Sequence, residues 1–334
     1  LNKATGRGST GYSDNLMTNF RQWWQTNVDV YALRDMYHKT KRNVTWNGGD
    51  YWNPTDPIFW DNPYWTRFEN FQTDERSRVY GNFTLDYKIA EWLSLMGRVA
   101  VDNYSELREE RRAVGSVPTP FGINRLDEPS GYQRMDRRVS EYNYDAFLTA
   151  NKDFRDLSVV GLLGMNIRKQ NFERVLASTN GGLAVPGLYS INNSLLPVPF
   201  PVEQATSKEV YGFFANVNLG FRDFLYFDIT GRNDISSALP VEHNSYFYHS
   251  EAISLVFSEL LDSDFLDFGK IRVNYAEVGN DTDPERTQNT YPRIDNFGQA
   301  VLYSFPTYVN NPNLESERTK SWEAGLELAG VDNR

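Results

Sequence analysis

The stretch YGFFANVNLGF, from Tyr211 to Phe221, decides the fold. Apolar side chains occupy its odd positions, whereas its even positions are mostly small or polar, with Asn216 and Asn218 at the centre. Successive side chains of a β-strand point to opposite faces of a sheet. A period of two therefore predicts a strand with one apolar face and one polar face.

Eight further segments repeat this alternation, so the sequence predicts nine strands. The eight are Val79–Tyr87, Trp92–Tyr104, Tyr142–Lys152, Leu157–Arg168, Leu225–Arg232, Tyr246–Phe257, Lys270–Val278 and Arg318–Leu328. The segment that begins at Tyr246 fits least, because His249 and Glu251 share a face with Ile253. Either a β-bulge or a position above the apolar band accounts for these two polar residues.

The connections between the nine segments alternate in length. The short ones are Lys88–Glu91, Asp153–Asp156, Arg222–Phe224 and Ser258–Asp267, and the long ones are Asn103–Ser140, Lys169–Thr206, Asp234–Ser245 and Gly279–Glu317. Outer-membrane barrels combine short periplasmic turns with long outer loops, so the alternation predicts an all-β fold, a portion of a transmembrane antiparallel β-barrel. Because closed bacterial barrels have an even number of strands, nine strands predict an incomplete wall.

The composition excludes several classes of protein. The 334 residues include no cysteine and three histidines, and the formal net charge is -10. Without cysteine there is no disulfide framework, no cysteine nucleophile and no thiolate metal site. The acidic balance argues against a nucleic-acid partner. No apolar run approaches the ~18 residues of a transmembrane helix, and the sequence shows no export signal at Leu1, so we expect both ends to be cuts inside a larger fold.

Residues 1–76 differ from the rest and are interpreted as a structured extracellular loop region, whereas residues 77–334 are interpreted as barrel wall with its loops. The first segment holds six of the eight tryptophans. One helix is predicted there, capped by Thr26 with Asp29 as the capping-box acid, and Val30, Leu33 and Tyr37 lie on one face. Aromatic rings stack on sugars and anchor interfaces, which makes six residues candidates for contact with substrate or a lid protein: Trp46, Tyr51, Trp52, Trp60, Tyr64 and Trp65. For any one of them, packing inside the loop is the more common role.

Several strings are more specific than the alternation. They are NPYW at Asn62–Trp65, RVYGNFTLDYKIAEWLSLMGR at Arg78–Arg98, YNYDAFLTANKDF at Tyr142–Phe154, GRNDISSALP at Gly231–Pro240, NSYFYHS at Asn244–Ser250, KIRVNYAEVGNDTDP at Lys270–Pro284 and NPNLESERTKSWEAGLEL at Asn311–Leu328. Together, and in this order, they closely resemble the SusC/RagA family of TonB-dependent outer-membrane transporters from Bacteroidetes.

The resemblance implies more than the composition does. It implies a barrel of 22 strands with a plug inside. Members of that family pair with a SusD-like surface lipoprotein that closes as a lid, and they import oligosaccharides or peptides with energy from TonB–ExbB–ExbD. They lie in the bacterial outer membrane and are not enzymes. This chain resembles a middle portion of such a wall and shows no plug, so the plug is expected from further sequence or another chain.

In a barrel the polar face of each strand lines the lumen and the apolar face meets lipid. The polar faces contribute the predicted lumen residues Asn82, Asp86, Arg98, Asn216, Asn218, Asp228 and Arg232. Tyr246, Phe247 and Tyr248 are expected in the outer aromatic girdle.

Motifs for other chemistry are weak. Asp281 and Asp283 recur at alternate positions and could hold a structural Ca²⁺, but no acid completes the calcium-loop pattern, so a solvated or fastened turn is preferred. The string from Gly6 to Gly11 matches G-x-G-x-x-G without the strand that a dinucleotide site needs, so a loop is preferred. His243 and His249 lack a third ligand with suitable spacing. We predict no resident cofactor and no catalytic residue.

Two other functions remain open at this point. A soluble β-rich carbohydrate-binding or adhesin domain would use the aromatic loops as its ligand surface. A β-fold glycosidase would need two carboxylates flanking its substrate, and the adjacent pair Glu109 and Glu110 lies in a run of mixed charge that is more typical of a solvated strand end. Glycan and peptide are both candidates for the imported solute.

Overall fold

The computed structural model describes residues 2–7, 15–261 and 266–330. Its strands are β1 (Asn2–Arg7), β2 (Phe71–Ala90), β3 (Leu93–Arg112), β4 (Thr119–Phe121), β5 (Leu126–Glu128), β6 (Gly131–Phe154), β7 (Leu157–Ser178), β8 (Val202–Phe221), β9 (Leu225–Ser236), β10 (Ser245–Val256), β11 (Leu266–Asn280), β12 (Arg293–Phe297), β13 (Ala300–Tyr303) and β14 (Glu317–Gly330). Its α-helices are α1 (Leu16–Thr18), α2 (Val30–Thr40) and α3 (Pro63–Phe68). A π-helical turn covers Asn19–Trp23, and 3₁₀ turns cover Ile191–Asn193, Val241–His243 and Phe257–Leu260.

Ten strands form one sheet in the order β1-β2-β3-β6-β7-β8-β9-β10-β11-β14. Strands β8 and β9 pair antiparallel, from Val210 opposite Ser236 to Phe221 opposite Leu225. The pairs β4-β5 and β12-β13 form separate two-stranded hairpins inside long connections. The sheet order follows the chain order, which is the meander of an up-and-down barrel wall.

The nine predicted strands each overlap one long strand of this sheet, and the partial all-β barrel wall is confirmed. The tenth strand, β1, was not predicted, and it pairs with the outer end of β2. The prediction was wrong about strand length. Residues 105–112 and 131–140, predicted as loop, belong to β3 and β6, and residues 169–178 belong to β7. These extensions are rich in charged side chains. The apolar alternation therefore ends before the backbone pairing between the strands ends.

Strand β10 contains no bulge. Its register with β9 runs without a shift from Ser245 opposite Ile235 to Leu255 opposite Leu225. His249 and Glu251 therefore share the face of Ile253 and lie closer to the outer end of the strand. The first explanation, a β-bulge, is wrong for the pairing with β9; Glu251 lies directly opposite Ile229, and a position above the apolar band stays a prediction.

The chain divides into two compact units. One unit comprises Leu1–Val79, Asn103–Val139 and Phe172–Ala205, and the other comprises Tyr80–Asp102, Ser140–Asn171 and Thr206–Arg334. We call them the loop unit and the wall unit. Among the described residues, no helix is long and apolar enough to cross a membrane.

The loop unit has a small core of Tyr37, Trp65 and Ala113. Helix α2 begins after Asp29, whose carboxylate accepts hydrogen bonds from the backbone N–H groups of Tyr31 and Ala32. Asp29 is thus the N-cap, and the prediction that Thr26 caps this helix was wrong. Leu33 and Tyr37 are buried on one face of the helix, as the spacing predicted.

The wall unit has an exposed apolar face. Phe213, Val217 and Phe227 are large apolar residues with 50%, 38% and 39% of their surface exposed. Contiguous exposed apolar surface is uncommon on soluble monomers and marks a face that contacts a partner or a membrane. In a membrane barrel that partner is lipid.

Candidate functional site

A loop from Asn47 to Phe59 presents exposed aromatic side chains. Tyr51 and Trp52 are 85% and 82% exposed, and their rings meet edge to face with centroids 5.2 Å apart. The loop is held by its own hydrogen bonds: the Asp50 carboxylate accepts from the N–H groups of Trp52 and Asn53, both at 2.9 Å. Two apolar rings are therefore offered to solvent by an ordered backbone.

Close approach of backbone explains the two glycines of this loop. A Cβ on Gly48 would lie 2.2 Å from the carbonyl oxygen of Pro54, and one on Gly49 would lie 2.7 Å from that of Asn53. The Gly49 N–H donates to the Asp56 carbonyl at 2.7 Å. Any side chain at either position would push the two arms of the loop apart.

The other aromatic candidates contact the loop unit itself. Trp65 is 8% exposed, and its indole N–H donates to Ser116 Oγ at 2.8 Å. Tyr64 packs against the same core. The ring of Trp60 stacks on Trp23 with centroids 5.8 Å apart, and Trp46 meets Trp24 edge to face. Of the six candidates, Tyr51 and Trp52 are the two whose rings are free to meet another molecule.

The string NPYW, Asn62–Trp65, follows this loop and connects the helices of the loop unit. Asn62 has no exposed surface, and its amide donates to the carbonyl oxygens of Leu33 at 3.0 Å and Val44 at 2.7 Å. Its side-chain oxygen accepts from the Tyr64 N–H and caps helix α3, where Pro63 takes the first position. One buried side chain thus connects α2, α3 and the segment between them.

The polar face of the wall unit is a hydrogen-bonded lattice between strands. Arg98 pairs with Asp145 at 2.7 Å, and Asn166 donates to the same carboxylate at 2.6 Å. Asn216 and Asn218 both donate to Asp228, at 3.0 and 3.2 Å. These are three of the predicted lumen residues in β8 and β9. The contacts hold the polar side chains against the sheet.

The outer end of this face is also polar. Arg232 pairs with Asp234 at 2.8 Å, and Tyr248 donates to Asp234 at 2.6 Å. Tyr246 is 7% exposed, whereas Phe247 is 52% exposed and lies on the opposite face. The expectation that all three aromatics form one outer girdle was therefore wrong, because alternation turns Tyr246 and Tyr248 to the polar face. Asn82 and Asp86 are exposed on β2, and Asp86 makes no hydrogen bond or ion pair with the described residues.

A cluster of arginines surrounds one carboxylate in the loop unit. Glu106, on β3, is 4% exposed. It accepts hydrogen bonds from Arg76 on β2, from Arg137 on β6 at 2.9 Å and from Arg108 at 3.0 Å. Arg108 also pairs with Asp74 at 3.1 Å. Sequence reasoning missed this cluster because it lies beyond the apolar alternation.

The charge state of Glu106 follows from these contacts. Burial by itself would raise the pKa of the Glu106 carboxyl, but the hydrogen bonds from Arg76 and Arg137 outweigh burial, and the pKa lies below its usual value. Glu106 is thus an anion at neutral pH, and it balances one of the three guanidinium charges that contact it.

Asp281 is held by a lysine. The Lys208 ammonium lies 2.7 Å from one Asp281 oxygen and donates to the Thr282 carbonyl at 2.8 Å, while Ser236 donates to the other Asp281 oxygen at 2.5 Å. Asp283 is exposed. Among the residues that the structure describes, no group of three or more potential ligands is placed to hold a metal ion. The ammonium group of Lys208 therefore lies where Ca²⁺ was considered, and it holds the loop after β11 in place. Calcium binding stays a prediction.

Replacing Lys208 with methionine is expected to loosen this loop. The change leaves the Asp281 carboxylate, whose side chain is 10% exposed, without its ammonium partner, which costs about 3 kcal/mol for a buried pair. We expect faster proteolysis between β11 and β14 and a lower Tm. Added CaCl₂ should not restore either. Wild-type protease resistance in the variant, or loss of resistance in wild type on adding EDTA, would contradict the assignment.

The prediction that no strand lies at the glycine motif was wrong, because its first two residues, Gly6 and Arg7, end strand β1; the motif from Gly8 to Gly11 lies outside the described residues. His243 lies 3.8 Å from Glu315, and His249 lies 2.6 Å from Glu251. Neither histidine joins a serine or a second histidine in a catalytic arrangement among the described residues.

Comparison with known families identifies the wall. Residues 7–334 match the family of TonB dependent receptor-like β-barrels, and the chain belongs to that family. This is a family of bacterial outer-membrane transport proteins, not enzymes. Membership excludes the soluble carbohydrate-binding domain and the glycosidase considered above.

Individual relatives are distant and longer than this chain. TonB-dependent receptor P26 of Formosa agariphila is 22% identical over 284 residues, which cover 82% of this chain and 28% of the relative. TonB-dependent receptor P3 of the same organism is 24% identical over 290 residues, which cover 82% of this chain and 27% of the relative. The chain therefore spans less than a third of these relatives.

Solved structures share the fold. A structure of the RagAB peptide transporter superposes with a TM-score of 0.72 at 17% identity, covering 86% of this chain and 32% of that one. The same importer in its closed-closed state gives a TM-score of 0.68 at 18% identity, covering 82% of this chain and 30% of that one. These likenesses confirm the resemblance in fold to SusC/RagA-type barrels.

Proposed function

We propose that the complete protein of which this chain forms part imports an oligosaccharide or a peptide across the outer membrane. It works with a SusD-like surface lipoprotein as lid and with TonB–ExbB–ExbD as energy source. This chain supplies barrel wall and extracellular loops, and the plug that TonB acts on comes from outside it. The match of residues 7–334 to the TonB-dependent receptor barrel family is the observation that carries the proposal.

The two units have different roles in this proposal. In the wall unit, the polar lattice that includes Arg98, Asn216, Asn218, Asp228 and Arg232 forms the lumen surface past which a hydrophilic solute moves. In the loop unit, Tyr51 and Trp52 are apolar anchors for the lid lipoprotein, since buried aromatic residues dominate interface energies. The RagAB neighbour is named a peptide transporter, which supports a peptide as the alternative solute to a glycan.

Growth tests the proposed activity. Deleting the gene should abolish growth on one class of oligosaccharide or peptide mixture, supplied as sole carbon source, while growth on glucose continues. Complementation with the intact gene should restore growth, and complementation in a strain without TonB should not. Unchanged growth of the deletion strain on every mixture that the parent uses would refute import by this protein.

Replacing Tyr51 and Trp52 together with alanine is expected to weaken capture of the lipoprotein. Loss of two interface aromatics commonly costs 2 kcal/mol or more, so the Kd should rise about thirtyfold or further. Co-purification of the affinity-tagged complete protein with its lipoprotein, followed by titration, measures the effect. Phe305→Ala is the matched control, because Phe305 is 86% exposed in the wall unit. Equal losses in both variants, or none in the double variant, would refute the role of this loop.

A further inference from the structure

Arg137 and Arg174 lie directly opposite each other on neighbouring strands. At the outer end of this pair of strands the Thr179 N–H donates to the Tyr132 carbonyl at 2.9 Å. Nine residues further along each strand, Gln170 donates to Glu141 at 2.6 Å. Both contacts fit a single antiparallel register between β6 and β7. That register pairs Arg137 with Arg174 and turns both side chains to the face that carries Glu106.

The facing arginines are short of negative charge. Like charges directly across a sheet repel each other, so such a pair needs an anion between or beside its members. Glu106 contacts Arg137, but it is shared with Arg76 and Arg108. Arg174 makes no ion pair or side-chain hydrogen bond with the described residues, and the Nε atoms of Arg137 and Arg174 are buried without a partner. Buried guanidinium donors without an acceptor are costly unless a ligand supplies one.

The arginines are held in place before any ligand arrives. The guanidinium carbon of Arg76 lies 4.7 Å from the centroid of the Tyr104 ring, and that of Arg137 lies 5.6 Å from the same centroid. Stacking on an aromatic face restricts the rotamers of a guanidinium and leaves its N–H edge available. A cavity of about 560 Å³ opens here, and its charged lining residues are Glu75, Glu106, Asp136, Arg137, Arg138, Glu173 and Arg174. Alternation along the strands turns the side chains of Asp136 and Glu173 away from the face that carries Arg137 and Arg174.

We propose that Arg137 and Arg174 bind a carboxylate group of the imported solute. The planar fork of guanidinium N–H donors matches the two oxygens of a carboxylate, and two opposed forks can hold it from both sides. The inference rests on the proposed import function and gives it a substrate class, a solute that carries carboxylates. In an acidic protein, a patch of this kind selects anions that the rest of the surface repels.

Calorimetric titration of the complete protein in detergent tests the site. The probes are trigalacturonate and tetraglutamate, with maltotriose and tetraserine as their neutral counterparts, so that the glycan and peptide sources of a carboxylate are distinguished. At least one anionic probe should bind, more tightly than its neutral counterpart and less tightly at high salt. Arg137→Gln and Arg174→Gln should each weaken that binding about tenfold, the usual scale for one charge-assisted hydrogen-bonded contact.

Arg134→Gln is the matched control. Arg134 lies on the same strand β6, on the opposite face, and pairs with Asp136 at 2.8 Å. The Arg134→Gln variant should bind the anionic probe with the wild-type affinity. Equal losses in Arg134→Gln and Arg174→Gln, equal affinity for neutral and anionic probes, or no anion binding up to about 1 mM would each overturn the site.

Uptake by cells separates this inference from the proposed function. Cells that carry Arg174→Gln should lose uptake of the anionic probe, while unchanged capture of the lipoprotein shows that the variant is folded and still assembles. If wild-type protein binds the anion with the expected mutational pattern but no wild-type cell takes it up, the carboxylate site stands and import of this solute is refuted.

Discussion

Arg in place of Val217 is expected to destabilise the protein in a bilayer by about 2–4 kcal/mol, the cost of a charged side chain near the middle of the lipid face of a barrel. Val217 lies on the exposed apolar face of β8, opposite Ile229. The new guanidinium would lie beside the apolar Ile229, and the carboxylate next along that row, Glu251 on β10, is already paired with His249 at 2.6 Å. Urea titration of protein refolded into phospholipid vesicles measures the loss.

Asn216→Arg is the internal control, one position away on the same strand. Asn216 lies on the polar face, where its amide donates to Asp228 at 3.0 Å and to Thr230 at 2.9 Å. An arginine there gains the Asp228 carboxylate as a partner and keeps access to the lumen. Its cost should be below about 1 kcal/mol, and equal costs for the two variants would mean that the faces are not distinguished by lipid.

Asn62→Ala is expected to have the second large effect, about 3–4 kcal/mol of destabilisation of the loop unit. The change removes the helix cap on Tyr64 N–H and leaves the carbonyls of Leu33 and Val44 without their amide donor in a fully buried place. Loss of a cap costs about 1 kcal/mol, and each stranded buried polar group costs about 1–3 kcal/mol. Limited proteolysis between α2 and α3, followed over a urea series, reports the opening of this unit.

Asn192→Ala provides the comparison. Asn192 is an exposed asparagine of the same unit, and its side chain makes no hydrogen bond with the described residues. Its replacement should leave the proteolysis curve within about 0.5 kcal/mol of wild type, as is usual for surface changes. If Asn62→Ala and Asn192→Ala give the same proteolysis curve, the buried Asn62 amide does not hold α2 and α3 together as the structure indicates.

The wall could be predicted from the sequence because lipid imposes a period of two on every strand. Phe213, Val217 and Phe227 all fall on the exposed apolar face where the alternation placed them. Above the lipid the constraint ends, since both faces of a strand can be polar there. The outer ends of β3 and β6 are therefore paired strand with the sequence of a charged loop, and the prediction ended them too early.

The candidate sites were less predictable, for two physical reasons. Hydrogen-bond partners far apart in sequence, such as Asn62 with Leu33 and Val44, leave no periodic trace. The facing of Arg137 and Arg174 depends on the register of two strands, which composition does not reveal. The aromatic loops were recognised as a set, but only the fold separates Trp65, in the core, from Trp52, at the surface.

Lipid contact along β9 tests the central claim most directly, namely that alternate residues of the wall face hydrocarbon. These 334 residues contain no cysteine, so single cysteines placed from Leu225 to Arg232 meet no competing thiol within them, and the cysteine-free parent of the complete protein is the labelling control. Each is coupled to an environment-sensitive fluorophore and exposed to vesicles that contain brominated lipid. We predict quenching at positions 227 and 229 and little quenching at 228 and 230. Equal quenching at all four positions, or quenching at none, would contradict a lipid-facing barrel wall.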